Sequence, residues 1–212
     1  MSRPPKQRRA GTPTALEGVP VYQLKITLAH VEPPVWRRVP MPGNIPLGLF
    51  HEFLQETMGW RNTHLHRFEL AGRYLGPASP DSEIGDEDLL TLTQAVELAG
   101  TSFRYDYDFG DGWRHWIEIE DVFSSPLATP TPVCVEGGRA CPPEDCGGPD
   151  GYRELLEALS GLDHPRHEEL RKWLGRVSGR TATFDSERFD LEATNQRLRR
   201  VAKEHRRRRE MT

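Results

Sequence analysis

The chain has 212 residues, 36% of them hydrophobic and 28% charged, with a formal charge of −4. That length suits one good-sized core with appendages, and no apolar run approaches the ~20 residues a membrane helix needs. The basic start, Met1 to Arg9, is followed by no apolar segment and so does not read as a secretory signal. Three cysteines, an odd number, argue against a disulfide scaffold and for a reducing cytoplasm.

Charge is spread unevenly. Residues 1–10 carry four Lys/Arg and no acid, residues 197–212 carry eight Lys/Arg and two acids, and the stretch between holds 16 basic and 30 acidic residues. A phosphate backbone would repel that acidic body, which argues against DNA binding by the core. Nucleic acid could be met only through Arg206, Arg207, Arg208 and Arg209. The same run also suits a solvated helix end facing its own dipole.

In chain order, residues 1–19 are rich in Pro, Gly, Thr and Arg and read as a disordered basic tail. Residues 21–30 alternate, with Tyr22, Leu24, Ile26 and Leu28 inward, and predict a strand. Pro33 and Pro34 break it, and residues 35–39 predict a second. A helix follows, with Asn44 as cap, Pro46 in the first turn, a stripe of Leu47, Phe50, Leu54 and Met58, and Gly59 as its end. Residues 65–70 predict a third strand with His64, His66, Phe68 and Leu70 on one face. Residues 76–88 read as an acidic loop, and 89–98 as either a short strand or a helical turn.

Phe103, Tyr105, Tyr107 and Phe109 then alternate with charged residues, as do Trp113, His115, Ile117 and Ile119 after Gly112. A three-residue loop, Gly110 to Gly112, would pair Phe109 with Trp113 and Tyr107 with His115, setting Asp108 beside Arg114 as a cross-strand pair. Residues 124–151 form a long Pro- and Gly-rich loop, of a length that is usually functional or disordered. Three helices close the chain, from about Asp150, from Pro165, and from Ser186 to about Arg207. The whole predicts an α+β fold: a mostly antiparallel sheet with a crossing helix, compatible with a ubiquitin-like grasp, and a helical C-terminal third. Residues 20–196 read as a single domain and 197–212 as the basic end of its last helix.

Certain motifs stand out in this order: Leu24 to Ile26, Pro34 to Arg37, Gly59-Trp60, His64 to His66 with Phe68, Tyr105 to Asp111 with Trp113 and His115, and Cys141 to Gly148 (CPPEDCGG). They resemble the plasmid pRiA open-reading-frame-three family over roughly residues 20–195. The resemblance implies a fold, a cytoplasmic setting and an association with plasmids and mobile elements. It implies no established activity. Some members carry a resolvase-like label, but this chain has no recombinase constellation.

The chemistry-bearing residues form a candidate cleft of His64, His66, Asp111, His115, Glu144 and Asp145. Pro142 and Pro143 stiffen the backbone before the Glu144–Asp145 pair, and Gly147 and Gly148 free it afterwards. The pair can grip a metal ion, an arginine such as Arg37 or Arg114, or backbone N–H groups. Candidate metal ligands are His64, His66, Cys134, Cys141 and Cys146, although the cysteine spacing is looser than structural zinc sites use. Trp36, Trp60 and Trp113 are candidate ligand-facing aromatics. The leading functional expectation is a non-catalytic binding or accessory module. A metal-dependent hydrolase built on His64, His66, Asp111, Glu144 and Asp145 is the alternative, and a nucleic-acid accessory protein is a weaker one.

Overall fold

The computed structural model describes residues 18–79, 83–127, 131–178 and 184–211. The tail expected to be disordered lies, over residues 1–17, outside the described residues, and Val19 already opens the first strand. The order is β1 (Val19–Leu28), β2 (Trp36–Pro42), α1 (Leu47–Met58), β3 (His66–Leu70), β4 (Arg73–Gly76), β5 (Gly85–Asp86), a 3-10 turn (Glu87–Leu89) and α2 (Leu92–Ala99). There follow β6 (Ser102–Tyr107), β7 (Trp113–Ser125), β8 (Glu136–Gly138), α3 (Gly148–Ser160), α4 (His167–Ser178) and α5 (Leu191–Glu210). The described strands make one sheet, ordered β5-β4-β3-β6-β7-β1-β2-β8 and antiparallel except at β4–β5. The fold is α+β. The opening β1–β2 hairpin and α1 follow the order of a grasp, after which β7 pairs antiparallel with β1 at the centre of the sheet. No helix among the described residues is long and apolar enough to cross a membrane.

One face of the sheet carries the core. Cross-strand neighbours run Phe68 to Tyr105 to His115 to Leu28, with Tyr107 beside Trp113 and Ile117 beside Ile26. On this face α1 lies against β3 and β6, where Phe50 stacks on Phe68 at 5.8 Å and meets Phe103 edge-on at 6.2 Å. Pro46, not Asn44, stands at the N-cap position of α1, with no side-chain cap bond, and Gly59 ends the helix at φ +93. α1 is buried well beyond its predicted stripe, because α5 covers it from the other side with Leu198, Val201 and Ala202. Arg197 Nε donates to the carbonyl of Glu56 at 2.9 Å, which satisfies a helix-end carbonyl of α1. Arg200 pairs with Glu56 and Arg208 with Glu52. The basic C-terminal run is therefore partly zipped onto α1. α5 runs unbroken through residue 197 to Glu210, so residues 197–210 form the basic end of this helix.

Two local expectations change. The ambiguous 89–98 stretch is α2, opened by a capping box in which Thr91 and Gln94 each bond the other's backbone N–H. The 76–88 loop contains β5 and the 3-10 turn, and it places Glu87 in the core.

The hairpin register also shifts by two. Tyr107 faces Trp113, Tyr105 faces His115, and Asp106, not Asp108, lies beside Arg114. The cause is Asp108. Its backbone turns to φ +55, its Oδ1 accepts from the N–H groups of Gly110 (3.0 Å) and Asp111 (3.2 Å), and its carbonyl accepts from Gly112. The turn becomes five residues long and leaves Phe109 half exposed. A slip of two residues keeps the side chains that remain paired on their faces, and Phe109, now in the turn, leaves the core face.

If α5 is held by its apolar face, Leu198→Ala should lower unfolding stability by ~3 kcal/mol through the cavity it leaves. Arg208→Ala, at an exposed ion pair, should cost under ~1 kcal/mol. Urea titrations followed by tryptophan fluorescence would separate the two, and equal losses would contradict this docking.

Candidate functional site

Two loops meet at the end of β6. The segment after α1 supplies Trp60 to His64, and the Pro-rich loop supplies Pro142 to Gly148. Trp60 Nε1 donates to the carbonyl of Pro142 at 2.9 Å. Glu144 collects the rest: it accepts from the Tyr107 hydroxyl (2.6 Å), from the Thr63 hydroxyl (3.4 Å), and through both oxygens from the backbone N–H of Arg61 (3.1 Å each). Burial and this bond push the Tyr107 hydroxyl up to about 12. On the other side Asp111 Oδ2 accepts from Gly147 N–H at 3.1 Å, and the hairpin tip sits so close that a Cβ at Gly148 would lie 2.2 Å from the Asp111 carbonyl. Only glycine fits there.

This docking brings His64 to Asp145 and Asp108. His64 Nε2 lies 3.1 Å from Asp145 Oδ1 and 3.6 Å from Asp108 Oδ2. Among the described residues, this is the group of three or more His, Cys, Asp or Glu side chains that could share a metal ion, with one ligand atom from each within 4.8 Å of the others. The His64 Nε2 atom is buried and makes no hydrogen bond of acceptable geometry, even to Asp145. Both aspartates hold left-handed backbone, at φ +55 and +60. Asp tolerates that conformation better than most residues, and such outliers gather at sites where geometry is forced. Asp108 uses Oδ1 for the turn and presents Oδ2 to His64, so its orientation is set by its own loop. His64 and Asp145 line a cleft of ≈ 590 Å³ whose other walls include Arg37, Trp60, Cys141, Phe189 and Arg197.

The fold defines an α+β domain with a His–Asp–Asp cluster at the edge of a cleft, and the comparisons support the fold. The crystal structure of the protein of unknown function MM3350 from Methanosarcina mazei Go1 is similar, with a TM-score of 0.73 and 32% identity, covering 82% of this chain and 97% of that one. The uncharacterized protein y4hQ of Sinorhizobium fredii (strain NBRC 101917 / NGR234) is 48% identical over 160 residues, 73% of this chain and 81% of the relative. The chain belongs to the plasmid pRiA4b ORF-3-like protein family, whose pattern matches residues 20–193.

The remaining candidates disperse. His66 does not join His64, because its Nε2 pairs with Glu87 at 2.9 Å and its ring stacks on His51 at 3.4 Å. His115 is fully buried, bonds the Tyr105 carbonyl at 3.3 Å and meets the edge of Trp60. Glu144 and Asp111 hold loops together. Trp113 has no exposed surface and Trp60 is buried against it, so neither offers a ligand a full face. Trp36 is half-buried on the opposite side of the sheet, under Arg38 and near Lys25. The cysteines stay separate from the histidines: Cys134 is buried, and burial pushes the thiols of Cys141 and Cys146 up to about 12. That opposes the deprotonation that metal ligation needs. The member of this cluster that the sequence analysis left outside the candidate cleft, reading it as a partner of Arg114, is Asp108. Its signal was an Asp two and three residues before the backbone N–H groups of a Gly-rich turn, which its carboxylate can cap.

Burial pulls His115 down to about 4. Burial, then the neighbouring His66, pulls His51 down to about 3. Both fold neutral, while the unfolded chain titrates near 6.5. The unfolded state therefore binds more protons below that pH. Stability should be full above about pH 6.5 and fall as pH drops toward about 4, with His115 alone contributing on the order of 3 kcal/mol. Urea midpoints measured from pH 7 to pH 4 would check this, and a flat profile would contradict it.

Proposed function

We propose that the chain is a metal-dependent binding module in which His64, Asp108 and Asp145 hold one divalent cation beside the cleft. The observation that carries this is the buried His64 Nε2, flanked by two carboxylate oxygens at 3.1 and 3.6 Å yet without a well-formed hydrogen bond. An ion with ligands about 2.1 Å away spaces its donors about 3–3.5 Å apart, which these distances match. One imidazole and two carboxylates suit manganese, iron(II) or zinc.

Binding is favoured over catalysis because Glu144, the carboxylate next to Asp145 in the Pro-rich loop, is already engaged by Tyr107, Thr63 and Arg61. It is poorly placed to take a proton from bound water. Hydrolysis is the second reading, since three protein ligands leave a position open for water. Turnover of p-nitrophenyl phosphate or acetate by the metal-loaded protein, lost in Asp145→Asn, would favour it. The nucleic-acid reading has less support, because Arg200 and Arg208 are engaged with Glu56 and Glu52. The three unpaired cysteines are in keeping with a cytoplasmic setting.

Untagged protein purified without chelator should carry about one manganese, iron or zinc ion per chain by elemental mass spectrometry. His64→Ala and Asp145→Asn should lose most of it while keeping the wild-type circular dichroism. A folded, metal-free protein that takes up none of these ions on titration would contradict the proposal.

A further inference from the structure

The cleft wall away from the His–Asp–Asp cluster contains a buried positive charge without an acid. Arg37 is 2% exposed and lines the cleft. Its Nη1 donates to the carbonyls of Trp36 (2.7 Å) and Gly138 (2.8 Å), its Nη2 donates to that of Arg139 (2.9 Å), and its Nε has no partner. Phe189 lies 4.0 Å from its guanidinium. The ionisable groups acting on it are the thiols of Cys141 and Cys134 and the guanidinium of Arg197. Burial keeps the Cys141 thiol neutral near pH 7, so it supplies no counter-charge. Carbonyl dipoles orient a guanidinium but do not neutralise it, and a buried charge without a counter-ion is costly.

The acids that line the cleft have other partners. Asp190 caps α5 and faces Arg188 at 3.6 Å. Glu144 is engaged by Tyr107 and the loop after α1, and Asp145 faces His64. Arg197 stands 3.6 Å from Glu56, which is held more closely by Arg200 at 2.7 Å. Among the described residues, Arg37 is left as the under-compensated buried cation of the wall; Arg197, which feels Glu56 and Asp190 and donates to the Glu56 carbonyl and the Thr194 hydroxyl, is the cation acting on it, and Arg61 donates to the Val177 carbonyl. Two guanidinium groups in a partly enclosed, half-apolar cleft are suited to planar, multi-point recognition of an oxyanion.

We propose that Arg37 and Arg197 form an oxyanion site in the cleft, which takes the phosphate or carboxylate group of a small ligand. The site uses none of the metal-binding side chains. It names what the cleft would select, an acid-bearing small molecule, and it stands whether or not an ion is bound at His64.

The test is calorimetric titration of the chelator-treated full chain with inorganic phosphate and with sodium acetate, each against sodium chloride of equal ionic strength. Saturable binding of at least one oxyanion is expected, and the tighter of the two identifies the phosphate or the carboxylate class. Arg197→Gln should weaken it about tenfold or more. Arg37→Lys, which keeps the charge but loses the fork, should also weaken it. Arg153→Gln, at an exposed helix position, should leave it unchanged, and the chelator treatment separates this site from the metal site. Circular dichroism establishes that each variant is folded. Absence of saturable binding by either anion, or wild-type affinity in both folded Arg37→Lys and Arg197→Gln, would overturn the proposal.

Discussion

The carboxylate of Glu144 is the contact on which the site depends. It ties three segments far apart in the chain: the loop after α1 through Arg61 and Thr63, the end of β6 through Tyr107, and its own Pro-rich loop. The Tyr107 hydroxyl, held up to about 12, stays a donor across the neutral range, so the bond does not switch with pH. With that clamp closed, the next residue, Asp145, is delivered to His64, and Asp111 is bonded to Gly147. Each of these is a modest interaction, but together they hold the side chains that a cation would need.

Much of the sheet was legible because alternation is a local signal. The faces of β1, β3, β6 and β7 follow directly from period two, and the residues that remain paired kept their core face through an incorrect register because the error was two residues. Turn length was not legible in the same way. It depends on whether the Asp108 side chain bonds its own backbone, and that competes with strand pairing on a scale periodicity does not see. The likeness of His64 and His66 misled for a related reason. Spacing of two implies one face only inside a strand, and β3 begins at His66. His64 belongs to the preceding loop, whose path is set by Glu144 and Tyr107 some 40 to 80 positions further on.

The histidines show how burial sorts similar groups into different roles. His51 and His115 are kept neutral by desolvation and act as polar core members bonded to Tyr105. His66 pairs with Glu87 beneath α1. Among the described residues, the buried Nε2 atoms of both His64 and His115 lack a hydrogen bond, but that of His64 faces two carboxylates. The arginines divide similarly. For Arg206 to Arg209, charge alone left open a nucleic-acid contact or a solvated helix end; Arg208, with Arg200 before it, fastens α5 to α1. Arg37, which the sequence offered as a partner for the Glu144–Asp145 pair, is instead the buried arginine among the described residues, held by backbone carbonyls.

The most direct test is an anomalous difference map from crystals grown or soaked with manganese(II). A peak about 2.0–2.3 Å from His64 Nε2, Asp108 Oδ2 and Asp145 Oδ1 is the predicted result. A map with no peak among these three atoms, in protein that diffracts with the loops ordered, would contradict the assignment and leave His64 as a loop-holding ion-pair partner.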